Sequence, residues 1–211
     1  MLYIRYPLLL REVEDILFER GIDICHETAR LWRNRFGPMF AAEIRKRPLR
    51  YRCYSQWRWY VDEVFGRING EMFYLWRAAD HEGGVLEVFA SRRLDRRAAL
   101  AFLKHAKRYG RPHVIVIGWR QCYSATMKEI GIERHQIYGR WLNKRAENSH
   151  QPFRRREGAM ARFRDIKALQ KFSSARASIY NHFNQDRHLN RRVIFKQNRS
   201  AALAEWHELA A

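Results

Sequence analysis

Residues 57–80, WRWYVDEVFGRINGEMFYLWRAAD, constrain the fold more than any other stretch. Apolar and aromatic residues fill both halves, and Asn69-Gly70 lies between them. Asn-Gly between β-prone runs predicts a tight hairpin, because both residues tolerate the positive φ such a turn demands. The first strand of that hairpin carries Asp62 and Glu63 within Tyr60-Val61-Asp62-Glu63-Val64-Phe65. A carboxylate on a strand of sheet-interior character is costly unless it is paired, hydrogen-bonded or metal-bound. Asp62 is therefore the first functional candidate. The plainer alternative is that one of the two acids faces solvent on an edge strand.

Ahead of the hairpin, REVEDILFER (11–20) places Val13, Ile16 and Leu17 on one helical stripe, and Gly21 is suited to end it. A second helix is expected over about 26–36, up to Gly37-Pro38, with Leu31 and Trp32 packing back on the first. Two short helices joined by a glycine turn make a helix-turn-helix pattern, whose second helix enters the major groove of DNA. Glu27, Thr28, Arg30 and Arg33 are the candidates to face the groove. An ordinary helical hairpin with a solvated basic face would show the same pattern. Residues 43–56, EIRKRPLRYRCYSQ, form a basic linker between this unit (1–42) and a larger one.

After the hairpin, a third strand over 85–89, a helix opened by Asp95 and ended by Gly110-Arg111-Pro112, and a buried strand at 113–117 are expected. A helix near 124–130, a strand near 134–138 and a long basic helical region from Asn143 follow. The order β-β-β-α-β-α-β-α gives a mixed α/β fold opened by an antiparallel meander, the order of RNase H-like domains. It covers 57–172, and a helical extension occupies 173–211, its last helix docked by Trp206 and Leu209.

The charge balance names the partner class. With 41 Lys+Arg against 22 Asp+Glu, the net charge is +19, a field that attracts polyanions and points to nucleic acid. A 46% apolar content supports a real core and excludes a disordered basic tail. No apolar run is long enough to span a bilayer, and Arg11 closes the brief run Pro7–Leu10, so neither a membrane span nor a signal peptide is expected. Cys25, Cys53 and Cys122 show no CxxC spacing, consistent with free thiols in a cytoplasmic protein.

Asp62 on the first strand and Glu147 on a late helix are the carboxylates such a fold would bring together. Convergent carboxylates can hold two Mg²⁺ ions about 4 Å apart, which stabilise the attacking and leaving oxygens of phosphoryl transfer. Arg154, seven residues beyond Glu147, and His150, three beyond it, share its helical face and could hold a DNA backbone. A solvated basic helix surface would account for them equally well.

WYVDEVFGRINGEMFYLWRAADHEG (59–83), RWLNKRAENSH (140–150), QPFRRRE (151–157), LQKFSS (169–174) and NHFNQDRHL (181–189) together resemble the insertion-sequence transposases of the IS6 family. The resemblance implies a helix-turn-helix that binds terminal inverted repeats and an RNase H-like domain with an Asp-Asp-Glu (DDE) triad. It implies Mg²⁺- or Mn²⁺-dependent cleavage at element ends and transfer of the 3′-hydroxyl to target DNA, by a homo-oligomer associated with the nucleoid. Carried over, the first acid is Asp62, the last Glu147, and Arg154 the basic residue beyond it. The second acid should follow the buried strand, where the family reads Thr-Asp; here Gly118 stands in its place. Asp80 and Glu129 are the nearest acids that could replace it, and neither is at the matched position. Glu63 points to the opposite strand face from Asp62. A DDE transposase with an impaired centre is the expectation; the alternative is an inactive DNA-binding protein or regulator of transposase descent.

Overall fold

The computed structural model describes residues 2–6, 8–46, 58–81, 83–110, 112–117, 121–131, 136–138, 163, 165–183 and 190–210. Three helices lead: α1 (Leu2–Arg5), α2 (Leu10–Phe18) and α3 (His26–Lys46). They are followed by β1 (Arg58–Ile68), β2 (Glu71–Asp80), β3 (Val85–Ser91), α4 (Arg96–Ala106), β4 (Val114–Ile117), α5 (Gln121–Ile130) and β5 (Gln136–Tyr138). Two long helices close the described chain, α6 (Ile166–Phe183) and α7 (Arg192–Ala210).

The Asn-Gly hairpin forms as its chemistry requires. Asn69 and Gly70 adopt φ of 52° and 85°, the left-handed pair of a two-residue hairpin turn. From there the register runs from Ile68 opposite Glu71 to Trp59 opposite Asp80. The five strands lie in the order β3-β2-β1-β4-β5, so β1 is central, antiparallel to β2 and parallel to β4. This is a mixed α/β sheet with the RNase H-like strand order.

Side chains alternate across the sheet and divide the core in two. Trp59 and Val61 of β1, Trp76 and Ala78 of β2, and Ile115 and Ile117 of β4 pack under α4 and α5 with Phe102, Leu103, Tyr123 and Met127. The opposite face presents Val64, Ile68, Phe73 and Leu75 to α6, through Leu169, Phe172 and Ile179, and to the N-terminal helices, through Ile4, Val13 and Ile44. Asp95 caps α4, its carboxylate accepting from Ala98 N at 2.8 Å. The edge strand β3 is covered by α6: Asn181 bonds both Val85 N and O, while Gln170 accepts from Ala90 N and donates to Val88 O. Eleven residues of helix rise about 16 Å and five of strand about 17 Å, so the two amides are spaced to match the edge they cover.

The N-terminal unit departs from expectation in two ways. Helix α3 does not end at Gly37-Pro38 but runs on to Lys46, taking in Glu43–Lys46 of the expected linker. Gly37 serves close packing rather than termination: a Cβ there would lie 3.6 Å from Ile4 Cδ1, ordinary contact with the neighbouring helix. Burial of Ala41 and Ile44 beyond Pro38 offsets a proline cost of about 3 kcal/mol. Leu31 and Trp32 do not pack on α2; they are 67% and 49% exposed, because α3 turns Gly37, Ala41 and Ile44 inward instead. Helix α6 crosses the 172/173 position expected to divide catalytic domain from extension. Trp206 does dock the last helix, its ring 5.0 Å from Phe40 and 5.6 Å from Phe183, and Leu209 packs beside the same cluster. Among the described residues no helix is long and apolar enough to cross a membrane.

Candidate active site

Asp62 lies in the middle of the central strand, half-buried, on the sheet face of Tyr60 and Val64. Its partner across the hairpin is Arg77 of β2. On its other side β4 runs parallel, and Val61 pairs with Ile117. The chain therefore leaves β4 beside Asp62. Gly118, Glu147, His150 and Arg154 lie outside the described residues, as do 47–57 of the expected linker.

The other candidate acids are engaged elsewhere. Asp80 ends β2 on the face of Trp76 and Ala78, opposite that of Asp62, and its carboxylate accepts from Gly84 N at 2.7 Å. The same turn is tied by Asp80 N to Gly84 O at 2.8 Å and Gly83 N to Asp80 O at 3.1 Å. Glu129 stands on α5 and pairs with Arg96 of α4 at 2.6 Å, so it belongs to the far layer of helices. Glu63 is buried, on the face of Trp59 and Val61. Carboxylate oxygens suit hard divalent cations. Asp62 offers such a donor; position 118 carries a glycine, which has no side-chain donor to give. Among the described residues no group of three or more His, Cys, Asp or Glu side chains converges.

Arg77 is the site residue that sequence reasoning missed. It is buried, and burial pushes its guanidinium down to about 10, with Arg176 adding in the same direction and Tyr180 opposing. It remains a cation at neutral pH. The signal was available, since counting back from Asn69-Gly70 places Arg77 opposite Asp62 in any tight hairpin.

In the helical pair, Glu14 of α2 holds the start of α3, accepting from His26 N at 2.9 Å and contacting His26 Nδ1 at 2.8 Å. Thr28 Oγ1 lies 3.3 Å from Cys25 Sγ, and Arg30 pairs with Glu27 at 3.2 Å. Arg33, half-buried, donates to Tyr3 Oη at 3.1 Å with its guanidinium 5.1 Å from that ring, and its Nη2 donates to the exposed Asn34 Oδ1 at 2.8 Å. Thr28 and Arg30 are half-buried on α3, and Arg33 doubles as a brace for α1.

The strand order and the acid on the central strand define a protein of the RNase H-like class. A family model for the DDE domain of IS240-type transposases matches residues 56–186, well over half of the chain. The transposase of the insertion sequence-like element IS431mec from Staphylococcus aureus is 33% identical over 115 residues, covering 54% of this chain and 50% of that protein. The transposase of IS257 in transposon Tn4003, from the same species, is 32% identical over the same length. Among solved structures, a simian T-cell lymphotropic virus intasome in complex with the PP2A regulatory subunit B56 gamma shares the fold, with a TM-score of 0.52 at 16% identity over 64% of this chain and 52% of that one. The chain belongs to the IS6 family of DDE transposases. It spans about half the length of the curated relatives it matches.

Proposed function

We propose that this chain is a transposase that binds insertion-sequence ends and carries a DNA cleavage and strand-transfer centre impaired by glycine at position 118. The observation that carries the reading is the placement of Asp62 on the central strand, next to the end of β4. Asp62 and Glu147 would hold Mg²⁺ or Mn²⁺, which supplies electrostatic stabilisation to the oxygens of the reacting phosphodiester. Thr28, Arg30 and Arg33 face element ends, and Arg154 holds DNA backbone beside the acids. The protein works in the cytoplasm on nucleoid DNA, as a homo-oligomer on terminal inverted repeats and target.

Phosphoryl transfer depends on positioning and charge stabilisation, so losing a carboxylate that holds the metal lowers the chemical step by orders of magnitude. The commitments of Asp80 to its own turn and of Glu129 to Arg96 speak against rescue by either. They favour the second reading: a DNA-binding protein of transposase descent with little strand transfer of its own. DNA binding is separable, because phosphate and groove contacts do not need the metal site.

Strand transfer with a pre-cleaved element end and Mn²⁺, comparing the natural chain with Gly118→Asp, tests this. Joining by the substituted protein alone is the expected outcome. Joining by the natural chain would show that another group supplies the missing ligand, and failure of both would remove the assignment of position 118.

A further inference from the structure

The outer face of α3 is less basic than the arginine content of the helix suggests. Gly37, Ala41 and Ile44 form its buried stripe. Thr28 lies nine residues before Gly37, about two and a half turns, which puts it on the opposite side. Leu31 and Arg35, three and seven residues beyond Thr28, share that outer side. Leu31 and Arg35 are exposed, and so are Trp32 and Met39 beside them. Arg30 and Arg33 are half-buried and stand nearer the inner stripe, which leaves the middle of the outer face to Thr28, Leu31 and Arg35.

A solitary exposed leucine is ordinary. Leu31, however, sits early in the helix, and the early residues of a groove-entering helix are the ones that meet base edges. Glu14 of α2 fixes that end through the His26 amide, 2.9 Å away. The Thr28 hydroxyl makes a local contact with Cys25 Sγ at 3.3 Å, so Leu31 is the apolar centre of the early outer face. Five Arg and Lys against two Glu on α3 suit a polyanion. A two-fold packing of α3 on a second copy would set Arg35 against its own counterpart and bring together two chains of net charge +19. Arg35 also interrupts the continuous apolar face that a membrane surface requires. In the major groove the bases present donors and acceptors, and the thymine 5-methyl group is the apolar feature that a leucine side chain can match.

We infer that Leu31 is a specificity-determining residue that packs against the 5-methyl group of a thymine in the DNA bound by α3. This assignment rests on the reading of α3 as the helix that enters the major groove. It goes further by naming the base and the apolar contact that selects it.

Gel-shift titration of the full chain in EDTA tests it, on a duplex that this chain enriches from a randomised pool. Each thymine of the duplex is replaced in turn by uracil, which removes the methyl group and keeps every hydrogen-bonding edge. The wild type is expected to bind about fourfold more weakly at one replaced position, the effect of one buried methyl-sized group. Leu31→Ala is expected to bind the thymine and uracil forms alike, at an unchanged melting temperature because the side chain is exposed. Val193→Ala, which trims an exposed side chain on α7, should keep the fourfold difference. An enriched duplex with no uracil-sensitive position, or a sensitivity that survives in Leu31→Ala, would overturn the thymine contact and leave sequence reading by the chain intact. Failure to enrich any sequence would overturn both. Loss of a dimer on Leu31→Ala in DNA-free sedimentation, with uracil sensitivity intact, would assign the face to a second copy and overturn the contact. Catalysis enters none of these readouts, so a failed strand-transfer assay with Gly118→Asp leaves the thymine contact standing.

Discussion

Alternation along the hairpin separates two acids that look equivalent in a sequence. Asp62 and Asp80 both interrupt apolar strands, but the register puts Asp80 opposite Trp59, three residues from Asp62 and on the other sheet face. Asp80 is fully buried and holds the β2–β3 turn through the Gly84 amide. Asp80→Ala would strip a buried donor of its acceptor, which costs roughly 1–3 kcal/mol. Urea denaturation is expected to show that loss. In the Gly118→Asp background, strand transfer per folded molecule should stay as it was. A collapse of transfer at unchanged stability would make Asp80 a metal ligand and the turn incidental.

Elements were legible where local chemistry alone decides them. Asn-Gly fixed the hairpin and its register, alternation fixed the strand faces, and Asp95 marked the start of α4. The length of α3 was not legible, since Gly37-Pro38 is a stop signal locally and a packing surface for Ile4 only once α1 is in place. The start of α3 carries a testable device. Glu14 reaches from α2 to His26, and the hydrogen bond from that side chain, followed by the one from its backbone, holds the Glu14 carboxyl below its usual range. A carboxyl with a lower pKa folded than unfolded adds stability that is fully present above the unfolded value, near 4.3. That stability is lost as pH falls through the folded value. The wild-type melting temperature should therefore drop on acidification into this window by more than that of Glu14→Gln. Parallel acid profiles would show that the α2–α3 contact contributes nothing to stability.

At the scale of the molecule, the candidate site was legible only along one chain segment at a time. Asp62 stood out because an acid on an interior strand demands an explanation, and Arg77 follows by counting across the turn. The meeting of Phe40, Phe183 and Trp206 could not be foreseen, because it joins α3, α6 and α7, which lie far apart in the chain. That same packing ties α3 to the sheet through a shared core, so the residues proposed to bind DNA on α3 and the acid on β1 belong to one connected structure. A division of labour between them is still expected, since groove contacts and metal-dependent chemistry use different atoms. Among the described residues Arg30 forms its ion pair with Glu27 on its own helix, whereas Arg33 braces Tyr3 on α1. Arg30→Ala should weaken binding to a cognate element end by about 1–3 kcal/mol, the range of a lost base contact, without lowering the melting temperature. Arg33→Ala should weaken binding and lower the melting temperature together, because it removes the brace on α1. Glu147→Gln should leave end binding nearly unchanged while abolishing any transfer restored by Gly118→Asp. Gel-shift titration on an inverted-repeat end resolves these cases, and equal losses of affinity from all three substitutions would overturn the separation between reading DNA and cutting it.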